Sequence, residues 1–218
     1  MTNIAVILAG GSGRRIGGGI PKQLLPLADG KSILEHAIYA FESAPSIHQI
    51  GVVMHKDYIT QAQELVQRNG WHKVAWIIPG GNERWQSSVN AITKIQEDIN
   101  NQLRVNQLIN SQQGNDHLNN LQLINSQQGN NYLNNTQPIT DENQINILLH
   151  DAARPFVTQQ IIQDVCTALT HYQAVTVALP ATDDCGIVHE YLPTTNIHIV
   201  PGAPSNRKIT YPEDLKNE

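Results

Sequence analysis

Near its N-terminus the chain reads Ile4-Ala5-Val6-Ile7-Leu8-Ala9-Gly10-Gly11-Ser12-Gly13-Arg14-Arg15. Ile4 to Leu8 is a short, β-branched apolar run closed by glycine, the pattern of a buried strand. A polar, Gly-rich loop directly after such a strand points to an α/β fold, whose ligands sit beyond the carboxyl ends of the strands. The rest of the chain agrees. Helical spacing is seen over Ser32–Ser43, Ile59–Arg68, Ser87–Ile99 (with Val89, Ile92 and Ile95 on one face) and Gln159–Leu169, the last with Thr158 as its N-cap. Between them lie apolar runs at Ile47–Met54, Val74–Ile78, Ile145–Leu149, Ala174–Leu179 and Ile197–Val200. Thr210 is placed to cap a short helix near Pro212. Near-continuous apolar strands alternating with amphipathic helices predict an α/β fold around a buried, mainly parallel sheet.

The loop after the first strand is an anion cradle by chemistry. Glycines let the backbone approach a phosphate and aim successive N–H groups at it. The GxxxxGK[ST] spacing of a P-loop is absent, and so is GxGxxG with its acidic ribose partner. What distinguishes the loop is charge: Arg14, Arg15 and, after Pro21, Lys22. Glycines with Arg and Lys suit a triphosphate, where charge builds on bridging oxygens during transfer.

Composition narrows the classes. A chain of 218 residues suits about one domain of 150 residues or slightly more, enough for a core without staples. With 14 Lys+Arg and a net charge of −5 it lacks the basic footprint of a nucleic-acid binder. No apolar run is long enough for a membrane helix. Met1 to Ala9 has no basic flank and reads as strand, not signal peptide. Cys166 and Cys185 form no disulfide framework and no CxxC motif, which fits a reducing cytoplasm. The nine histidines show no HxH or HExxH spacing, so no zinc site is expected.

The apolar fraction of 40% is low for a globular domain, and the dilution is local. Gln107 to Asn120 reads QLINSQQGNDHLNN and Gln122 to Asn135 reads QLINSQQGNNYLNN. Two units this polar cannot bury enough surface to offset chain entropy. The segment at about 99–143 therefore reads as a surface insertion, disordered or weakly helical, in a single domain spanning 1–218. A self-association segment is the other reading, since Asn/Gln tracts pair as β-structure.

Four motifs in order resemble one family. Ala9-Gly10-Gly11-x-Gly13-x-Arg15 with Pro21-Lys22-Gln23 resembles the signature of nucleoside-triphosphate sugar-phosphate transferases. Gly80-Gly81-Asn82-Glu83-Arg84-Trp85-Gln86-Ser87-Ser88-Val89 and His150-Asp151-Ala152-Ala153-Arg154-Pro155-Phe156 resemble the GGxxRxxSV and HDAARPF motifs of 2-C-methyl-D-erythritol 4-phosphate cytidylyltransferases. Asn206 to Leu215 resembles the closing NxKxTxPEDL.

The resemblance implies a Rossmann-like three-layer α/β/α nucleotidyltransferase fold. It also implies attack of a sugar-alcohol phosphate on the α-phosphorus of CTP, a step of isoprenoid-precursor synthesis. On that basis Leu8, Ala9, Gly10, Gly11 and Gly13 line the nucleotide, and Gly81, Arg84 and Ser87 contact cytosine and ribose. Arg15 and Lys22 neutralise the phosphates, and Lys208 stabilises the five-coordinate phosphorus. Asp151 is a hard oxygen ligand for Mg²⁺ and, with Arg154 and Thr182, binds the acceptor. Without the resemblance, Asp151 and Arg154 read equally as a structural pair, Arg84 as a solvated first-turn residue, Ser87 as a cap and Lys208 as a surface lysine. His150 reads as structural, because a phosphate nucleophile is already ionised.

The chain departs from the family twice. The Asn/Gln-rich segment is extra. Near 181–182, Val177-Ala178-Leu179-Pro180-Ala181 runs directly into Thr182-Asp183-Asp184, where the family carries a protruding β-arm. In the family that arm swaps between the subunits of a homodimer and completes the acceptor pocket. Two alternatives to the erythritol enzyme follow. One is a ribitol-5-phosphate cytidylyltransferase, against which Ala153 argues. The other is a CTP-binding relic with impaired catalysis.

Overall fold

The computed structural model describes residues 1–11, 20–111, 145–179 and 197–215; the side chains of Arg84, residues 105–111, Pro212 and Glu213 are outside that description. Gly13, Arg15 and Thr182 lie outside the described residues, as do Cys185, the junction near 181–182 and the repeats from residue 112 on. The chain divides into two compact units, Met1–Gly11 with His48–Leu149, and Ser12–Ile47 with His150–Glu218.

The first unit is built on β1 (Thr2–Ala9), β2 (Gln49–Met54) and β3 (Val74–Pro79). Each pairs in parallel with the next, Val6 opposite Gly51 and Val53 opposite Ile78. With β4 (Ile145–Asp151) they form a four-stranded sheet of order β3-β2-β1-β4. Ile4 and Val6 on one face of β1 are as completely buried as Ala5 and Ile7 on the other. That is why these strands read as continuous apolar runs and not as alternating ones. Helix α2 (Ile59–Asn69) buries Ala62, Leu65 and Val66, and ends at Gly70 in the left-handed conformation that glycine adopts without penalty.

Helix α3 (Arg84–Ser111) covers the face of Ile4, Val6, Val53, Trp76 and Ile78 with Ala91, Ile95 and Ile99. Two expectations are corrected here. The helix continues twelve residues beyond Ile99, into the segment read as insertion. Leu103 continues the i, i+4 series of Ile95 and Ile99 and packs on the same cluster, a signal that the surrounding Asn and Gln residues dilute. Second, Val89 is 50% exposed. The buried stripe runs Ser87, Ala91, Ile95 and Ile99, a strict i, i+4 spacing that excludes Val89.

The second unit contains α1 (Ile33–Glu42) and α4 (Gln159–Ala168). Ser32 caps α1 in a reciprocal box with Glu35, and Thr158 caps α4 through the Ile161 N–H, as its sequence position predicts. The Gln159 side-chain amide ties α4 to α1 by donating to the Ala40 carbonyl at 2.6 Å. Strands β5 (Ala174–Ala178) and β6 (Ile197–Pro201) pair in parallel with each other, Thr176 opposite Ile199. Among the described residues the strands thus form two sheets, not one. The second is also less buried than expected: α4 packs on it, yet Val177 and Ile199 remain exposed.

Candidate active site

In the first unit the chain leaves β1 at Ala9 and enters Gly10. The Gly80 N–H donates to the Met54 carbonyl at 2.8 Å and keeps the next loop on the sheet beyond β3. The two loops approach backbone to backbone. A Cβ on Gly80 would lie 3.2 Å from both the Gly10 Cα and the Ser87 Oγ, tighter than ordinary contact. Glycine is needed here for proximity rather than for a special φ.

Ser87, on the buried stripe of α3, sits under this junction. Its Oγ accepts from the Gly81 N–H at 3.0 Å and donates to the Glu83 carbonyl at 3.4 Å. Gly81 has no room for a side chain, since its Cβ would fall 2.5 Å from the Gln86 Cβ. Gly11 is exposed and Ala9 is buried. Leu8 is partly buried and packs on the core cluster of α3. The two glycine loops are thus held against each other through a buried serine, backbone to backbone, beyond the ends of β1 and β3.

The second unit gathers the charged residues. Asp151 ends β4, and its Oδ2 lies 2.7 Å from the Lys208 Nζ. Its Oδ1 accepts from the Ala153 N–H at 3.0 Å, and its carbonyl accepts from the Arg154 N–H at 2.9 Å. The Arg154 guanidinium donates from Nη1 to the Asn206 carbonyl at 2.8 Å. Ile209 is held at both peptide groups: its N–H donates to the Ala153 carbonyl at 2.8 Å, and its C=O accepts from the Lys22 Nζ at 2.7 Å. Lys22, Asp151, Arg154 and Lys208 therefore converge on one loop and one C-terminal strap. Asp151 and Lys208 form an ion pair, and Arg154 is bound to the strap.

Three cationic side chains and one carboxylate are thus gathered around one loop and one strap. A profile of the IspD family, 2-C-methyl-D-erythritol 4-phosphate cytidylyltransferase, matches residues 3–106 and 119–195. The chain belongs to this family.

It is accordingly a cytidylyltransferase of the nucleotidyltransferase class. It is 29% identical over 266 residues to the 2-C-methyl-D-erythritol 4-phosphate cytidylyltransferase of Thermobifida fusca, covering 97% of this chain and 89% of that protein. That alignment exceeds the 218 residues of the chain, so the relative carries residues with no counterpart here. It is 26% identical to the Haemophilus influenzae bifunctional ribulose 5-phosphate reductase/CDP-ribitol pyrophosphorylase Bcs1, over 98% of this chain but 46% of that protein. The crystal structure of the Anaerococcus prevotii 4-diphosphocytidyl-2C-methyl-D-erythritol synthase has the same fold, with a TM-score of 0.61, 16% identity and coverage of 99% and 93%.

His150 of this cytidylyltransferase is structural, as its sequence context suggests. The ring packs on Phe41 at 4.9 Å and its Nε2 lies 3.0 Å from the Arg154 carbonyl. Burial pushes its pKa down to about 4, so the imidazole is neutral at physiological pH. Thr210 corrects an expectation. Its hydroxyl donates back to the Lys208 carbonyl at 3.5 Å, and its N–H donates to the Asp214 Oδ2, ahead of a single 3₁₀ turn at Pro212–Leu215. Gly80 and Ile209 stand in the motifs quoted above without a role of their own, and the structure gives each one. The doubled glycine after a strand was a readable signal for the first. The second acts through its backbone and leaves no trace in residue type. Among the described residues no group of three or more His, Cys, Asp and Glu side chains forms a metal cage, and no helix is long and apolar enough to cross a membrane.

Proposed function

We propose that the chain transfers the cytidylyl group of CTP to 2-C-methyl-D-erythritol 4-phosphate and releases pyrophosphate. The observation that carries this reading is the Lys22, Asp151, Arg154 and Lys208 hub, found in a member of the family. A phosphate oxygen of the acceptor attacks the α-phosphorus. A new P–O–P bridge forms, the α–β bridge breaks, and its electron pair leaves with pyrophosphate. No proton has to move and no covalent enzyme intermediate is needed. Catalysis is then positioning and charge neutralisation.

Each residue's part follows from its chemistry. The glycines at 10, 11 and 13 offer N–H groups to the nucleotide, while the Gly81 N–H is taken by the Ser87 Oγ and holds its own loop in place beside them. Cytosine presents an N4 donor with O2 and N3 acceptors, which backbone groups and a hydroxyl can match. Arg15 and Lys22 neutralise the phosphates. Arg154 commits one of its guanidinium donors to Asn206 and offers the rest of its fork to the acceptor phosphate. Lys208 is a movable point charge that exchanges Asp151 for the five-coordinate phosphorus.

Among the described residues Asp151 belongs to no cage of three or more metal-ligating side chains, which fits an ion held mostly by phosphates and water, as Mg²⁺ usually is. Asp151 would be its protein ligand. When bound, the ion supplies charge neutralisation across the phosphates. A cytoplasmic location and the homodimer of the family go with this reading.

The test is pyrophosphate release with Mg²⁺, comparing CTP with ATP, GTP and UTP and the erythritol phosphate with ribitol 5-phosphate. Turnover with CTP and the erythritol phosphate is expected. Preference for ribitol phosphate would favour the Bcs1-like activity. Calorimetric CTP binding without turnover would identify the relic, in which residues absent from this chain were needed to complete the acceptor pocket.

A further inference from the structure

We propose that Asp214 is a positioning residue for Lys208: its carboxylate fixes the turn that aims the Lys208 ammonium at Asp151. The value of that aim rests on the cytidylyl-transfer reading, but the geometry stands by itself.

Lys208 carries its charge on a flexible four-carbon stem, so its direction depends on how firmly the backbone is held. Upstream, the Asn206 carbonyl is bound by Arg154. At the centre, Ile209 is bonded through both peptide groups, and its side chain is buried with Leu27 and Ile33. Downstream, the next two peptides depend on one group. The Thr210 N–H and the Tyr211 N–H both donate to the Asp214 Oδ2, at 2.7 and 2.9 Å. The Tyr211 side chain is exposed and anchors nothing by burial. The Asp214 N–H returns to the Tyr211 carbonyl at 3.1 Å and closes the turn, and Leu215 then packs on the Ile209 cluster.

Those two N–H bonds, with Arg207 and Lys22 nearby, hold the Asp214 carboxyl below its ordinary range, so it remains a charged acceptor at any working pH. Removing it takes the shared acceptor from two adjacent N–H groups, which turn to water, and the strap loses the bond that fixes its turn. Lys208 is then held downstream by Ile209 alone, with the turn behind Ile209 no longer pinned.

The experiment uses the full chain with D214A, D214N, K208A and K208A/D214A. D214A is expected to lower kcat by roughly 10- to 100-fold while KM for CTP moves by less than about threefold, the signature of an interaction needed only at the transition state. In D214N the amide oxygen still accepts, and kcat should return to within about threefold of the parent. In the K208A background the D214A loss should vanish, because a residue acting through Lys208 has nothing left to act on.

A readout independent of turnover is the ¹⁵N NMR signal of the Lys208 ammonium, kept in slow exchange by its ion pair. It should disappear in D214A and persist in D214N. Additive losses in the double variant, or a D214A protein with parental kcat and an unchanged Lys208 signal, would overturn the proposal. If the parent chain releases no pyrophosphate, the transferase reading fails, and the Lys208 signal still decides the positioning role. D214N keeps the test open if D214A does not fold.

Discussion

His150 shows how one residue couples the site to stability. Its pKa is about 4 in the folded chain, against about 6.5 for an exposed imidazole, chiefly because burial disfavours the charged form. Between those values the unfolded chain takes up a proton that the folded chain refuses. The contribution is therefore complete above pH 6.5 and is lost progressively as pH falls toward 4, on the order of 3 kcal/mol across the window. Urea melts of the parent at pH 7.5 and 4.5 should show that loss in excess of the loss in His150→Phe, whose ring can keep the Phe41 contact. An equal loss in both proteins would contradict it. Gly81 acts through space, not charge. In Gly81→Ala the new methyl meets the Gln86 Cβ at 2.5 Å, and that atom is fixed to the first turn of α3. Relief requires moving the turn and breaking the Gly81–Ser87 bond, at a cost of about 1–3 kcal/mol. Calorimetry should show CTP affinity at least tenfold weaker, with the α/β circular dichroism retained.

At the scale of elements, α3 is held to the sheet by more than its apolar stripe. Asp98 is buried and accepts from the Trp76 Nε1 on β3 at 3.1 Å and from the Lys94 Nζ at 2.9 Å. Asp98→Ala strands a buried indole N–H, which should destabilise the protein by about 1–3 kcal/mol. Chemical denaturation checks this, and CTP affinity at 20 °C below the new midpoint should be unchanged. The case also marks what could be read from sequence. Caps at Ser32 and Thr158 are local rules written in a few adjacent residues, and they hold in the structure. The apolar core of the first sheet is equally legible, because strands covered on both faces have no other composition open to them. Asp98 was not legible, since its partner lies 22 residues away in sequence. Nor was the pairing of β5 with β6 as a separate sheet, because strand order is decided by which edges meet in space. The site divides the same way. Lys22, Asp151, Arg154 and Lys208 announce themselves as charges in motifs. The backbone atoms of Ala153, Asn206 and Ile209 that gather them are the same in every residue type.

At the scale of the whole molecule, the chain combines family-like motifs with a polar segment that the motifs do not use. The family match takes in residues 3–106 and 119–195 and breaks between residues 106 and 119. That break, residues 107–118, takes up most of the first repeat unit, Gln107–Asn120, while the match resumes at residue 119 and takes in the second. A connection of that kind costs little to lengthen. Closure entropy grows as the logarithm of length, and halving a loop changes stability by only about 0.6 kcal/mol. Deleting residues 122–136, one complete repeat unit, should therefore leave the urea midpoint within that margin and leave CTP affinity unchanged. If the segment instead mediates self-association, as Asn/Gln tracts can, the same deletion should shift the sedimentation coefficient at high protein concentration without altering the midpoint of a dilute sample. A loss of stability well beyond the entropic margin would contradict both readings, because it would mean that the repeat packs against the folded core and that its composition conceals a structural role.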